Sequence, residues 1–212
     1  MKSLASYIVA ATALCALCSC SPDKRSTIIP DAVVRQCREG DIVLREGTAI
    51  ESHVVRAANR RSHFTHCGLV ARMGGELMVV HAVPDEPDFE GDPDRVKVET
   101  IAQFFSTRRA KRGCLLRCRT DSLTARRAAH KALELYRSHT LFDHDYDDSD
   151  STRMYCSELV VFAYAKAGFS FGTLEHNDYN LLTTRLHHVL LPSEFTASRR
   201  TTIITEFGRG DD

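Results

Sequence analysis

The apolar positions of this chain change period several times, and each change marks an element. Residues 4–17 are apolar almost without a break, interrupted by Ser6, Tyr7 and Thr12 and preceded by Lys2. Gly40-Asp41-Ile42-Val43-Leu44 reads as a turn entering a short strand. From 48 to 60, Ala49, Ile50, Val54, Ala57 and Ala58 fall at helical spacing, with Thr48 and Ser52 available as caps. Residues 65–72 alternate, Gly74-Gly75 signals a hairpin turn, and 76–83 return as a second strand. That hairpin sets His66 and His81 on neighbouring strands, where alternation and register allow both to point to one face.

An acidic loop with three prolines spans 84–93, before a strand at 95–99, a small helix at 101–105 and a strand at 111–119. Thr120, Asp121 and Ser122 offer caps for a helix running to about 138, with Ala125, Ala128, Ala129, Ala132, Leu133 and Tyr136 on its apolar face. A loop with five aspartates covers 141–151. The next helix starts at Cys156 and stops at Gly168, a normal residue just past a helix end. It is apolar on both faces and so predicted to be buried. A late strand is expected at 201–207.

Composition adds a compartment. The N-terminal stretch is a secretory signal pattern, too short for a spanning helix. Leu17-Cys18-Ser19-Cys20 resembles a bacterial lipobox, in which Cys20 is lipidated after cleavage; an ordinary signal peptide cut nearby is the alternative. The expected layout is therefore signal peptide at 1–19, lipid attachment and tether at 20–37, and one domain at 38–212. The 28 basic residues balance 28 acidic ones, so no basic excess argues for nucleic acid, and anchoring is expected through lipid rather than charge. Ser21 in place of a retention aspartate favours the outer membrane where the cell has one. Five cysteines follow Cys20, and an odd number in an exported chain leaves at least one thiol unpaired. Cys114 and Cys118 share one strand face as small apolar residues or, alternatively, as half of a zinc site.

The natural free thiol is Cys156. In Met154-Tyr155-Cys156-Ser157-Glu158-Leu159-Val160 it stands at a helix start, whose unpaired N–H groups and positive macrodipole end favour a thiolate. His66, in Phe64-Thr65-His66-Cys67-Gly68-Leu69-Val70, is a candidate general base, and His81 a candidate to orient its ring. Gly68 suits close packing of a helix on this strand.

In their order along the chain, Gly40-Asp41-Ile42-Val43, the His66 segment, Val80-His81-Ala82-Val83 and Tyr155-Cys156-Ser157-Glu158-Leu159-Val160 resemble the permuted papain-like branch of the NlpC-type superfamily, in particular its YiiX/YaeF-like group. The resemblance spans roughly residues 38–200. It implies an α+β fold, an antiparallel sheet packed against helices that include the one beginning at Cys156. It also implies Cys156 as nucleophile, His66 as base and a polar third residue on the following strand. That group commonly has glutamate before alanine at the third place; here it is His81-Ala82, as in the lecithin:retinol acyltransferase-like branch. Thr65 replaces the usual serine.

By this reading His66 takes the Cys156 proton, with a thiolate–imidazolium pair as a resting form, and an acyl-enzyme follows. No cofactor or metal is expected. A metal site from His66, Cys67, His81 and Cys156 is disfavoured because adjacent strand residues face opposite sides. The expected activity is amide hydrolysis on an envelope substrate, most simply a peptidoglycan peptide. Acyl transfer or deacylation on a lipid or lipid-modified molecule, and a vestigial lipoprotein binding module, are the alternatives. The acidic loop 84–94 and the aspartates of 143–150 suggest a polar rim for cationic groups.

Overall fold

A computed structural model describes residues 27–48, 63–147, 151–180 and 185–208. In chain order its strands are β1 (Ile42–Gly47), β2 (His66–Met73), β3 (Glu76–Val83), β4 (Arg95–Thr100), β5 (Ala110–Cys118), β6 (Leu141–Phe142), β7 (Arg153–Met154), β8 (His176–Asn180), β9 (Arg185–Leu190) and β10 (Thr201–Gly208). The helices are α1 (Asp31–Val34), α2 (Ile101–Phe104), α3 (Ser122–Arg137), α4 (Cys156–Lys166) and α5 (Glu194–Ala197). One sheet runs in the order β10-β5-β1-β2-β3-β4-β6-β7, antiparallel except for the parallel pair β6–β7, and β8–β9 form a separate hairpin. This is the expected α+β architecture.

Alternation along the central strands sorts their side chains into two layers. Ile42, Leu44, Cys67, Leu69, Val80 and Ala82 pack beneath α3 and α4. Val43, Val70, Val79 and Leu115 point the other way, under Ile29, Val33, Ile101, Phe104 and Phe105. Both faces are therefore covered, and all six residues of β1 are buried, Arg45 and Glu46 included. Residues 29–37 supply part of this cover, and Ile28 N–H bonds Phe105 O at 2.9 Å. The fold thus starts ahead of the boundary expected at 38, because the second face needs Ile29 and Val33 to exclude water.

The helices lie where the pattern puts them, for visible reasons. Asp121 caps α3, accepting the N–H groups of Leu123 and Thr124 at 2.9 Å each. The Gly40-Asp41 pair is a structural junction. Gly40 has φ +89°, and a Cβ there would meet Ala125 at 2.6 Å. Its carbonyl accepts the Tyr164 hydroxyl of α4. Asp41, buried, accepts Arg117 Nε and Nη2 at 2.7 Å each and ties β1 to β5.

The structure departs from the sequence reading in places. The helix expected over 48–60 falls outside the described residues apart from Thr48. The β8–β9 hairpin and the two-residue strands β6 and β7 had no signal, being polar or too short to show a period. Gly68 is crowded not by a helix but by β3: a Cβ would meet Val79 Cγ1 at 2.5 Å and His81 Cβ at 3.1 Å. Gly68→Ala should therefore wedge β2 from β3, with an overpacking cost of about 1–3 kcal/mol. Thermal and urea melts should show the loss; an unchanged midpoint would refute the crowding.

Candidate active site

Cys156 is the first residue of α4, and Tyr155 N–H before it is accepted by the Glu158 carboxylate at 3.3 Å. The Tyr155 hydroxyl accepts Leu190 N–H at 3.2 Å, which fixes the helix start against β9. The polar residues around the thiol are thus partly structural. Ser157 is fully buried, and its Oγ lies 3.7 Å from Cys67 Sγ and 3.9 Å from Cys156 Sγ.

These neighbours decide which sulfur ionises. The neighbouring Cys67 thiol and N–H, with the Ser157 hydroxyl and N–H, outweigh burial and hold Cys156 below the ordinary thiol range. Cys67 goes the other way, pushed well up by burial and by its bond to Cys156. Burial likewise raises Cys37 to about 11, and Cys114 and Cys118 to about 12 each. The five cysteines among the described residues are free, and Cys156 alone of these is half-buried rather than buried. Cys114 and Cys118 both belong to the layer under the helices, as their four-residue spacing predicts.

His66 and His81 come together on the other face. Their rings meet with His66 Nε2 2.9 Å from His81 Nδ1, and Phe104 of α2 closes over both, centroids 5.7 and 5.3 Å away. Burial first, then Arg45, His81 and Arg109 beside it, hold His66 well below the ordinary histidine value. It is neutral near pH 7, so the structure does not favour the resting thiolate–imidazolium pair. No hydrogen bond joins His66 to Cys156. The sulfur instead neighbours β2 at Cys67, with Ser157 Oγ 3.9 Å from the Cys156 sulfur and 3.7 Å from that of Cys67. Cys67 and His66 are consecutive on β2, so the thiol lies on the helix side of that strand and the imidazole on the opposite face.

Three residues of this cluster escaped the sequence reading. Glu99 on β4 places Oε1 3.2 Å from His81 Nε2 and 3.7 Å from Arg45 Nη1, while its Oε2 pairs with Arg109. Burial raises the Glu99 carboxyl, but His81, Arg109 and Arg45 outweigh it and leave it lowered and ionised. Arg45 also donates to Phe104 O at 3.0 Å and stacks on its ring, 4.7 Å from the centroid. The available signal was alternation: β1 and β4 put Arg45 and Glu99 on the histidine face, but nothing in sequence says which strands adjoin.

Part of the acidic rim expected for cationic groups is already ion-paired. Glu86 pairs with Arg45 at 2.5 Å and Arg109 at 3.2 Å, and Asp92 with Arg95 and Lys97 at 2.8 Å each. Asp143 accepts the N–H groups of Asp145 and Asp147 at 2.9 and 2.6 Å, shaping its own turn.

A thiol poised at a buried helix start, against a sheet that carries a histidine pair, is the layout of papain-like cysteine hydrolases. A family model described as permuted papain-like amidase enzyme, YaeF/YiiX, C92 family, matches residues 36–205, and the chain belongs to that family. It is thus an enzyme of the cysteine hydrolase class. Among solved structures it is similar to the crystal structure of metalloprotein yiiX from Escherichia coli O157:H7, at 18% identity and a TM-score of 0.63, covering 82% of this chain and 99% of that one. That likeness concerns the fold. No curated protein sequence matches the chain. Among the described residues, no group of three or more His, Cys, Asp and Glu side chains is arranged to hold a metal ion, so no step is assigned to one.

The thiol environment has a direct readout. With iodoacetamide at pH 7, Cys156 should label first among the cysteines, located by peptide mass spectrometry. Cys67→Ala removes a donor to the thiolate and should slow that labelling about tenfold, whereas Cys67→Ser, which keeps a donor, should not. Equal rates in wild type and Cys67→Ala would refute the assignment of donor and thiolate.

Proposed function

We propose that the protein cleaves an amide bond of a cell-envelope peptide, with Cys156 as nucleophile, His66 as base and His81 orienting the base. Membership in an amidase family supports the bond type. The single observation that carries the residue roles is that, among the described cysteines, the one held below its ordinary range sits at a helix start, linked through Ser157 to Cys67, the residue after His66.

In this mechanism the Cys156 proton passes to His66 Nδ1 as the sulfur attacks the carbonyl carbon. The backbone N–H of Cys156 donates to the oxyanion. The C–N bond breaks as His66 returns the proton to the leaving amine, leaving a thioester. Water then attacks the thioester and gives its proton to His66, which passes it to the departing sulfur, releasing the acid and restoring the thiol. For location, the lipobox-like Leu17-Cys18-Ser19-Cys20 supports a lipid anchor at Cys20 and an exported lipoprotein on the envelope, outer membrane favoured. These residues lie outside the described ones.

A second reading, deacylation or acyl transfer on a lipid or lipidated molecule, is favoured by one feature. A groove of about 310 Å³ beside α4 has Val161, Phe169, Phe171, Leu174 and Leu190 among its lining, with polar Thr173 and His176 beside them, a mainly apolar surface suited to an alkyl chain.

Incubation with muropeptides and, separately, with phospholipid vesicles distinguishes the two, with products read by mass spectrometry. Muropeptide cleavage is expected, and Cys156→Ala should reduce it at least ~10³-fold. Product from lipid alone would favour the second reading, and turnover surviving in Cys156→Ala would remove the nucleophile assignment.

The pH profile follows from the direction of the His66 shift. Because its proton affinity is lowered, the base stays unprotonated as pH falls through 6.5, the ordinary value. The acid limb of kcat/KM should therefore lie below 6.5, and folding stability should decline below that pH, because the unfolded imidazole takes up a proton first. An acid limb above pH 7 would contradict this.

A further inference from the structure

We propose that Glu99 is a positioning residue: through His81 it holds His66 in the Nε2–H tautomer and so keeps the Nδ1 lone pair of His66 bare to receive a proton. This deepens the reading of His66 as base and rests on it.

The argument is one of donors and acceptors. Glu99 is side-chain buried, 12% exposed; Oε2 pairs with Arg109, whereas Oε1 has no hydrogen-bond partner among the described residues and lies 3.2 Å from His81 Nε2 and 3.7 Å from Arg45 Nη1. An ionised carboxylate only accepts, so a buried oxygen short of donors draws the ring proton of His81, 1% exposed, to the nearby Nε2. A His81 ring that carries this proton alone offers only a lone pair at Nδ1. His66 Nε2 lies 2.9 Å from that atom, so His66 is the donor and its own proton sits on Nε2. Nδ1 of His66, which makes no hydrogen bond among the described residues, is left as the basic nitrogen. The groups facing this relay are consistent with it. Arg45 from β1 and Arg109 ahead of β5 keep Glu99 anionic, Glu86 from the loop shares both guanidiniums, and Phe104 from α2 seals the rings from above.

Reversing the relay requires only an amide in place of the carboxylate. In Glu99→Gln the amide oxygen stays with Arg109, which can only donate, and the NH₂ turns to His81. His81 must then accept at Nε2 and carry its proton on Nδ1, so it donates to His66 Nε2. The His66 proton is driven onto Nδ1, where it blocks the base. A purely structural ion pair would move neither tautomer.

The test uses the full chain with ¹⁵N-labelled histidine and two-bond ¹H–¹⁵N correlation spectra near pH 8, with His66 and His81 assigned from single-histidine variants. The wild type should show both rings as Nε2–H, and folded Glu99→Gln should show both as Nδ1–H. On any substrate whose cleavage Cys156→Ala abolishes, Glu99→Gln should lose about 10²–10⁴-fold in kcat with KM nearly unchanged, as a wrong-tautomer base does elsewhere. Glu99→Asp, still an acceptor, should recover part of that loss. An Nδ1–H or doubly protonated ring at either position in the wild type overturns the proposal, even where Glu99→Gln fails to fold. Unmoved tautomers in a folded Glu99→Gln overturn it as well. Cys156→Ala should leave both tautomers in place. If it remains active, the nucleophile reading fails while the spectra still decide the role of Glu99.

Discussion

The central strands of this protein are covered on both faces, and most of its chemistry follows from that constraint. A sheet buried on one side can turn its polar residues to water; one buried on both must satisfy them internally. Under α3 and α4 the solution is apolar, with small cysteines and alanines letting the helices approach. On the other face Arg45, His66, His81, Lys97 and Glu99 are enclosed beneath Phe104 and the loop 84–94, and they can persist there only by pairing with one another. Glu86 and Asp92, residues that look like a solvated acidic rim in sequence, are drawn in as counter-charges for Arg45, Arg109, Arg95 and Lys97.

This division separates the tuning of the thiol from the tuning of the imidazole. Cys156 is lowered on the helix side by sulfur, hydroxyl and backbone donors, without a charged partner. His66 is kept neutral on the other side by burial and by the two arginines nearby. A neutral imidazole and a thiol that ionises readily differ from an ion pair already formed at rest. In the proposed mechanism this leaves His66 free to accept a proton as the sulfur attacks, which is what general-base catalysis near neutral pH requires. The odd residue of the motif, histidine where relatives commonly carry glutamate, fits the same frame. A carboxylate is still present, one strand further on, at Glu99.

Much of this was legible in the sequence because it depends on local periodicity. The β2–β3 hairpin, the capped helix α3 and the apolar helix starting at Cys156 follow from spacing, turn residues and caps. The common face of His66 and His81 follows from alternation alone. The short strands β6 and β7 and the polar β8–β9 hairpin carry no such pattern, since two residues define no period and His-Asn-Asp-Tyr-Asn buries little.

What the sequence by itself determined was which elements bear Cys156, His66 and His81, because helix and strand period are local properties. Tertiary structure alone decided their partners. That Cys67 and Ser157 rather than His66 neighbour the Cys156 sulfur, that β3 rather than a helix crowds Gly68, and that Glu99, Arg45 and Arg109 close around the histidines all depend on which strands lie side by side and how each face is covered. Strand order and coverage are set by the cheapest way to bury the whole chain's apolar surface and pair its charges, a global balance that no short stretch of residues contains.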